Sequence, residues 1–151
     1  MQGKTPTLTS ETLINYYLSQ NYMGKITILL VENDKPTQLL LNKFLVMSNF
    51  TVLVAENGKQ AIENYLDKQC RIDFVITDIM MPEVNGLELL MYIRKQELYQ
   101  QTPVIGMTSG YSDYLKSISQ EKFDALLTKP LDLDHLLVCI ESVMQQQAKK
   151  Q

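Results

Sequence analysis

Several polar residues stand directly behind apolar runs in this sequence: Glu32, Asn33 and Asp34 after "ILLV", Asp78 after "FVIT", Thr108 and Ser109 beside "PVIGM", and Lys129 after "DALLT". Gathered at one point, the carboxylates would repel one another and call for a cation. Mg2+ suits them, because it takes oxygen from one or two carboxylates and keeps part of its water. Lys129 supplies a second positive charge. A phosphoryl group held there would have its oxygens neutralised by metal and ammonium, with the Thr108 hydroxyl donating a hydrogen bond. One carboxylate could then attack phosphorus and carry the group as an aspartyl phosphate. Asp78 is the best candidate, since it ends a central apolar run and precedes "IMMPEVNG", which turns sharply before the next helical pattern. The plainer reading of the Glu32 to Asp34 trio is a solvated turn, because Asn and Asp suit turns and helix starts.

Five apolar runs must deliver these residues: "KITILLV" (25–31), "TVLVA" (51–55), "DFVIT" (73–77), "PVIGMT" (103–108) and "DALLT" (124–128). Their nearly continuous apolar character predicts strands covered on both faces. Helical spacing recurs between them: Leu40, Leu41, Phe44, Leu45 and Met47, then Ala61, Ile62, Tyr65 and Leu66, then Leu87, Leu90 and Ile93. Tyr111, Tyr114, Leu115 and Ile118 form the fourth set, and Leu133, Leu136, Leu137, Ile140 and Val143 the last. Each set predicts one apolar stripe. Pro36 suits a first helical turn, "ENG" at 56–58 punctuates before the second helix, and Asp132 can cap the last. Such βα alternation predicts an α/β fold, a doubly wound parallel sheet whose ligands bind beyond the carboxyl ends of the strands. Strand two ends in Ala55 and Glu56, which would lie beside rather than in the crevice if it is an edge strand.

At 151 residues the chain has room for one domain with a proper core. Its 45% apolar and 21% charged residues are those of an ordinary globular protein. A net charge of -3 with no Lys/Arg cluster argues against a nucleic-acid binder. No apolar run is long enough to span a bilayer, and no secretory leader pattern opens the chain, so no membrane role and a cytoplasmic location are expected. Cys70 and Cys139 show neither ligand spacing nor a disulfide framework and are read as reduced thiols. Residues 1–24 are polar, carry a short helical pattern in "SETLINYYLSQNY", and are read as an extension; 147–151 is read as a polar tail.

"ILLVEND", "FVITDIMMPEVNGLELL", "MTSG" and "LLTKP" occur in this order at ordinary spacing. Together they resemble the receiver domain of two-component response regulators, over about residues 25–146. The resemblance implies a (βα)5 flavodoxin-like fold with strand order 2-1-3-4-5 and Mg2+ as cofactor. It makes Asp78 the phosphoacceptor and puts Glu32 and Asn33 at the paired positions that help hold Mg2+, with the backbone carbonyl of Met80 as a further ligand. Thr108 matches the hydroxyl that follows the phosphoryl group when the domain switches, Lys129 the lysine that contacts it, and the Lys129–Pro130 bond is expected to be cis. Implied partners are a sensor histidine kinase or a histidine phosphotransfer protein, which donates from a phosphohistidine, and a downstream protein. Slow self-catalysed hydrolysis is implied as well.

Two departures bear on function. Asn33 stands where the family has a second acid, removing one negative charge and predicting weaker Mg2+ binding. Asp34 is a candidate for partial compensation, although capping the first helix is its plainer role. Leu126 stands at the switch position where the family has Tyr or Phe, so coupling is expected to be smaller or to run through Tyr111 and Tyr114. The alternative function is therefore a receiver-like protein-binding module with weak or no phosphorylation. An α/β phosphatase or nucleotide-binding enzyme with an aspartyl intermediate fits less well, because Met80 occupies the position of a second Asp and no Gly-rich phosphate loop opens a helix. After Lys129 only one helix and a tail are expected, so the output is expected to be contact with other proteins. A single-domain signalling protein, a relay intermediate and the receiver piece of a hybrid kinase all fit.

Overall fold

The computed structural model describes residues 26–109 and 122–149. Along the chain run β1 (Thr27–Val31), α1 (Lys35–Met47), β2 (Thr51–Ala55) and α2 (Gly58–Ala61), which widens into a π-helical turn over Ile62–Leu66. There follow β3 (Phe74–Asp78), α3 (Gly86–Lys95), a 3-10 turn at Glu97–Tyr99, β4 (Val104–Thr108), β5 (Ala125–Thr128) and α4 (Leu133–Lys149). All strand pairs are parallel, in the order β2-β1-β3-β4-β5. The sheet has the doubly wound order expected, with β2 at one edge. The fourth predicted helix, with Tyr111 and Tyr114, and the extension over residues 1–24 lie outside the described residues.

Strand side chains alternate between two cores. Ile28, Leu30, Phe74 and Ile76 face Leu41 and Leu45 of α1 and Leu136 and Ile140 of α4. Leu29, Val31 and Val75 face Ala61 of α2 and Leu89, Leu90 and Ile93 of α3. Central β1, β3 and β4 are buried throughout, as their apolar runs require, whereas edge strands β2 and β5 are partly exposed.

Four of the five strands start one or two residues later than expected, and at two of them an aspartate is responsible. Asp73 and Asp124 were expected to begin the third and fifth strands; their carboxylates instead accept the first backbone N–H groups of neighbouring strands, from Thr27 at 2.9 Å and from Val104 at 2.7 Å. These N–H groups need acceptors where the ladder begins, and a carboxylate supplies one. Consequently β3 starts at Phe74 and includes Asp78 as its last residue.

The apolar stripe of α1 also needs correction. Gln38, Leu41 and Leu45 are its buried residues, and this i, i+3, i+7 row turns Leu40 and Met47 outward, to 55% and 76% exposure. The stripes of α3 and α4 match expectation at Leu90, Ile93, Leu136, Ile140 and Val143. Pro36 lies in the first turn of α1, Asn57 caps α2, and the Asp132 carboxylate accepts the N–H groups of Asp134 and His135. α4 continues to Lys149, so part of the expected tail is helix, and the Gln147 side chain donates to the Gln101 carbonyl. Among the described residues no helix is long and apolar enough to cross a membrane.

Candidate functional site

Strand register assembles the site. Val31 pairs with Thr77, so Glu32 emerges beside Asp78; Asp78 pairs with Met107, so Thr108 stands one step beyond on β4. Thr108 pairs with Thr128, and its carbonyl accepts the backbone N–H of Lys129 at 2.8 Å. From there the Lys129 ammonium reaches across the strand ends. Its Nζ donates to Glu32 Oε1 at 2.6 Å and to Asp78 Oδ2 at 3.0 Å, so residues far apart in sequence meet at one cation.

Burial sets the electrostatics. Glu32 is 0% exposed, and its burial raises the carboxyl pKa, against the hydrogen bonds from Lys129 and the Asp34 N–H that favour the charged form. Burial pulls the Lys129 pKa down, but its bonds to Glu32 and Asp78 and their charges outweigh it, and the net shift is upward. Two carboxylates thus share one ammonium, leaving one formal negative charge in excess. Such a cluster is poised to accept a further cation.

The loop after β1 is tied at several points. The Glu32 N–H donates to the Ala55 carbonyl at 3.1 Å, and its Oε2 accepts the Asp34 N–H at 3.0 Å. Asp34 caps α1: its Oδ2 accepts the Thr37 N–H at 3.1 Å and the Thr37 hydroxyl, contacts that hold its carboxyl below the usual value. Asn33 is exposed between them. Sequence reasoning missed Gln38, whose buried side chain donates from Nε2 to the Glu32 carbonyl at 2.9 Å. A polar residue one turn before Leu41, in line with the buried stripe, was the signal.

The loop after Asp78 closes tightly. The Gly86 N–H donates to the Ile79 carbonyl at 2.8 Å, and Asn85 with Glu88 forms a capping box at the start of α3. A Cβ on Gly86 would lie 2.4 Å from the Asp78 carbonyl oxygen and 2.7 Å from Ile79 Cα, both backbone atoms. Gly86→Ala is therefore expected to lower stability by about 1–3 kcal/mol in urea unfolding. An unchanged midpoint would mean that α3 slides away without disturbing Asp78.

The remaining expected residues fall as follows. Met80 lies in the loop two residues past Asp78, its side chain 62% exposed. Thr108 is buried at the end of β4 and Ser109 is exposed. Leu126 is partly buried in the second core, where its Cδ2 and the Phe123 ring lie over Gly106 of β4; a Cβ there would meet them at 3.0 Å and 3.1 Å. Phe123 thus places an aromatic ring against the same glycine as Leu126. The Lys129–Pro130 bond is cis. An open cleft of about 430 Å³ beside the lysine is lined by Thr37, Leu40, Ser109, Lys129, Pro130 and Leu133, among others. His135 is exposed, and both cysteines are free thiols. Tyr111 lies outside the described residues.

The family model of the response regulator receiver domain matches residues 28–141. The "Probable transcriptional regulator ycf29" of Pyropia yezoensis is 33% identical over 126 residues, covering 82% of this chain and 55% of that protein. The transcriptional regulatory protein CpxR of Escherichia coli (strain K12) is 35% identical over 118 residues, 78% of this chain and 48% of CpxR. The chain thus spans about half the length of these two relatives. Among solved structures, the response regulator protein TrrA from Thermotoga maritima, in complex with Mg2+ and BeF, matches with a TM-score of 0.68 at 29% identity, over 78% of this chain and 98% of TrrA.

Proposed function

Because the chain belongs to the response regulator receiver domain family, we propose that it accepts a phosphoryl group from a phosphohistidine onto Asp78, with Mg2+, and signals by changing its protein contacts. One observation carries this reading: the Lys129 ammonium bridges Glu32 and Asp78 at the strand ends, beside Thr108. As Asp78 attacks phosphorus, its oxygen forms the new O–P bond while the donor's N–P bond breaks and its imidazole leaves. Lys129 then faces the transferred oxygens and neutralises part of their charge. The Thr108 hydroxyl donates to one of them. Hydrolysis by water returns Asp78 to a carboxylate.

The donor set fits Mg2+, which accepts one or two carboxylates and otherwise keeps water. Among the described residues no three His, Cys, Asp or Glu side chains gather at metal-binding spacing, so the protein's charged contribution is the pair Glu32 and Asp78. The Asn33 side-chain carbonyl and the Met80 backbone carbonyl would complete the oxygen set. Asp34 is the weaker candidate, since Thr37 occupies its Oδ2. When bound, the metal would draw charge from the phosphoryl oxygens and orient the group for in-line attack.

The partners this reading requires are a histidine kinase or phosphotransfer protein and a downstream protein, met in the cytoplasm. Leu126, with Phe123 over Gly106, carries the switch on β5, and Tyr111 is the candidate beyond β4. A second reading, a binding module that is phosphorylated weakly or not at all, is favoured by the neutral, exposed Asn33. Incubation with acetyl phosphate and Mg2+, followed by intact-mass measurement, separates the two. One phosphoryl adduct is expected on the wild type and none on Asp78→Asn; no adduct on the wild type at saturating Mg2+ would favour the binding module.

A further inference from the structure

We propose that Gln38 is a positioning residue for the metal and phosphoryl site, its carboxamide holding the Glu32–Asn33 peptide in place; this rests on the Mg2+ site proposed above. Gln38 is 3% exposed and sits on the core-facing side of α1 with Leu41 and Leu45. An apolar side chain would suit that place, and a buried carboxamide is tolerated only with partners for its polar atoms.

Both ends of the carboxamide have partners. Its Oε1 accepts from the Lys35 ammonium at 3.1 Å, and its Nε2 donates to the Glu32 carbonyl at 2.9 Å. The ammonium can only donate, so the carboxamide oxygen must face Lys35 and the NH2 group must face the carbonyl. Lys35 in turn lies 3.9 Å from the Glu56 carboxylate, which follows β2.

The carbonyl that Gln38 holds belongs to the peptide leading into Asn33. Glu32 is fixed at its N–H by Ala55 and at its carboxylate by Asp34 and Lys129. Gln38 fixes the remaining polar group, and with it the rotation that carries Asn33 toward or away from Asp78. A metal site with only two carboxylates depends more heavily on where its neutral oxygens point. Partners of this kind, one shell out from the ligands, change metal affinity by roughly 10–100-fold when removed.

Mg2+ titration of the whole chain, followed by backbone amide NMR, tests the proposal. Gln38→Met keeps the volume without the donor, and Gln38→Asn keeps the donor but falls short of the carbonyl. Both are expected to bind Mg2+ about tenfold more weakly than wild type. Leu45→Val, a comparable core change on the same helix, is expected to keep wild-type affinity while lowering the melting temperature. If wild type binds Mg2+ and both Gln38 variants bind within twofold of it, Gln38 is structural only and the proposal is wrong. If wild type shows no Mg2+ binding at all, the site proposal fails and this one falls with it.

Discussion

Lys129→Met is expected to destabilise the fold by about 3 kcal/mol at neutral pH without Mg2+, the effect of removing one partner from a buried ion pair. Glu32 is fully buried and Asp78 nearly so, and neither has another cation within hydrogen-bond distance among the described residues. Methionine keeps most of the unbranched apolar stem, so the loss is mainly one of charge and hydrogen bonds. Mg2+ brings positive charge to the same place and should restore part of the stability. The pH dependence follows from the two shifts. Burial already raises the Glu32 pKa above 4.5, and losing Lys129 raises it further. The deficit is therefore full above the variant's folded-state Glu32 pKa and shrinks as pH falls from there to the wild type's lower, though still raised, value; the unfolded chains titrate alike and cancel. At the alkaline end, Lys129 in the wild type has a folded pKa above 10.5, so its contribution is present below 10.5 and lost as pH rises through the raised value. Melting curves of the two proteins should converge at both extremes and differ most between them. Equal melting temperatures at neutral pH in EDTA would contradict the picture of Lys129 as the site's counter-charge.

Asn33→Asp is expected to tighten Mg2+ binding about tenfold, close to 1.4 kcal/mol. Two unit charges ~4 Å apart interact by about 4 kcal/mol at an effective dielectric near 20, before desolvation and screening reduce the figure. Asn33 is exposed, so much of that energy is screened, and the tenfold estimate is the remainder. The same substitution sets three carboxylates against one ammonium, so in EDTA the variant should melt below the wild type and in Mg2+ recover. A Mg2+ titration by calorimetry reads the affinity directly. Unchanged affinity would mean that position 33 contributes no ligand and that the altered residue is incidental to the site.

Much of this architecture is legible from residue type. Central strands reveal themselves because both faces are buried, which is why "ILLV" and "FVIT" are unbroken apolar runs ending at Glu32 and Asp78. Register then does the rest, since parallel pairing of Val31 with Thr77 forces Glu32 beside Asp78. Side-chain roles that depend on a neighbouring element are harder to read. Asp73 and Asp124 look like strand residues until the adjacent strands' first N–H groups are seen to need them. Leu40 and Met47 fit a helical stripe by spacing, but the sheet selects the row through Gln38, Leu41 and Leu45. Phe123 drew no attention in a sequence whose switch position is Leu126, because its place over Gly106 comes from the turn into β5. The fold thus follows from periodicity, the site from strand ends, and the supporting contacts only from the assembled backbone.

The most direct measurement is reductive trapping of the phosphorylated chain. Borohydride reduces an acyl phosphate to the alcohol, so an aspartyl phosphate becomes homoserine at the residue that carried it. After treatment with acetyl phosphate and Mg2+, peptide mapping should find homoserine at position 78 and at no other acidic residue. Homoserine at another aspartate, or none while the intact protein carries a phosphoryl group, would contradict Asp78 as the phosphoacceptor.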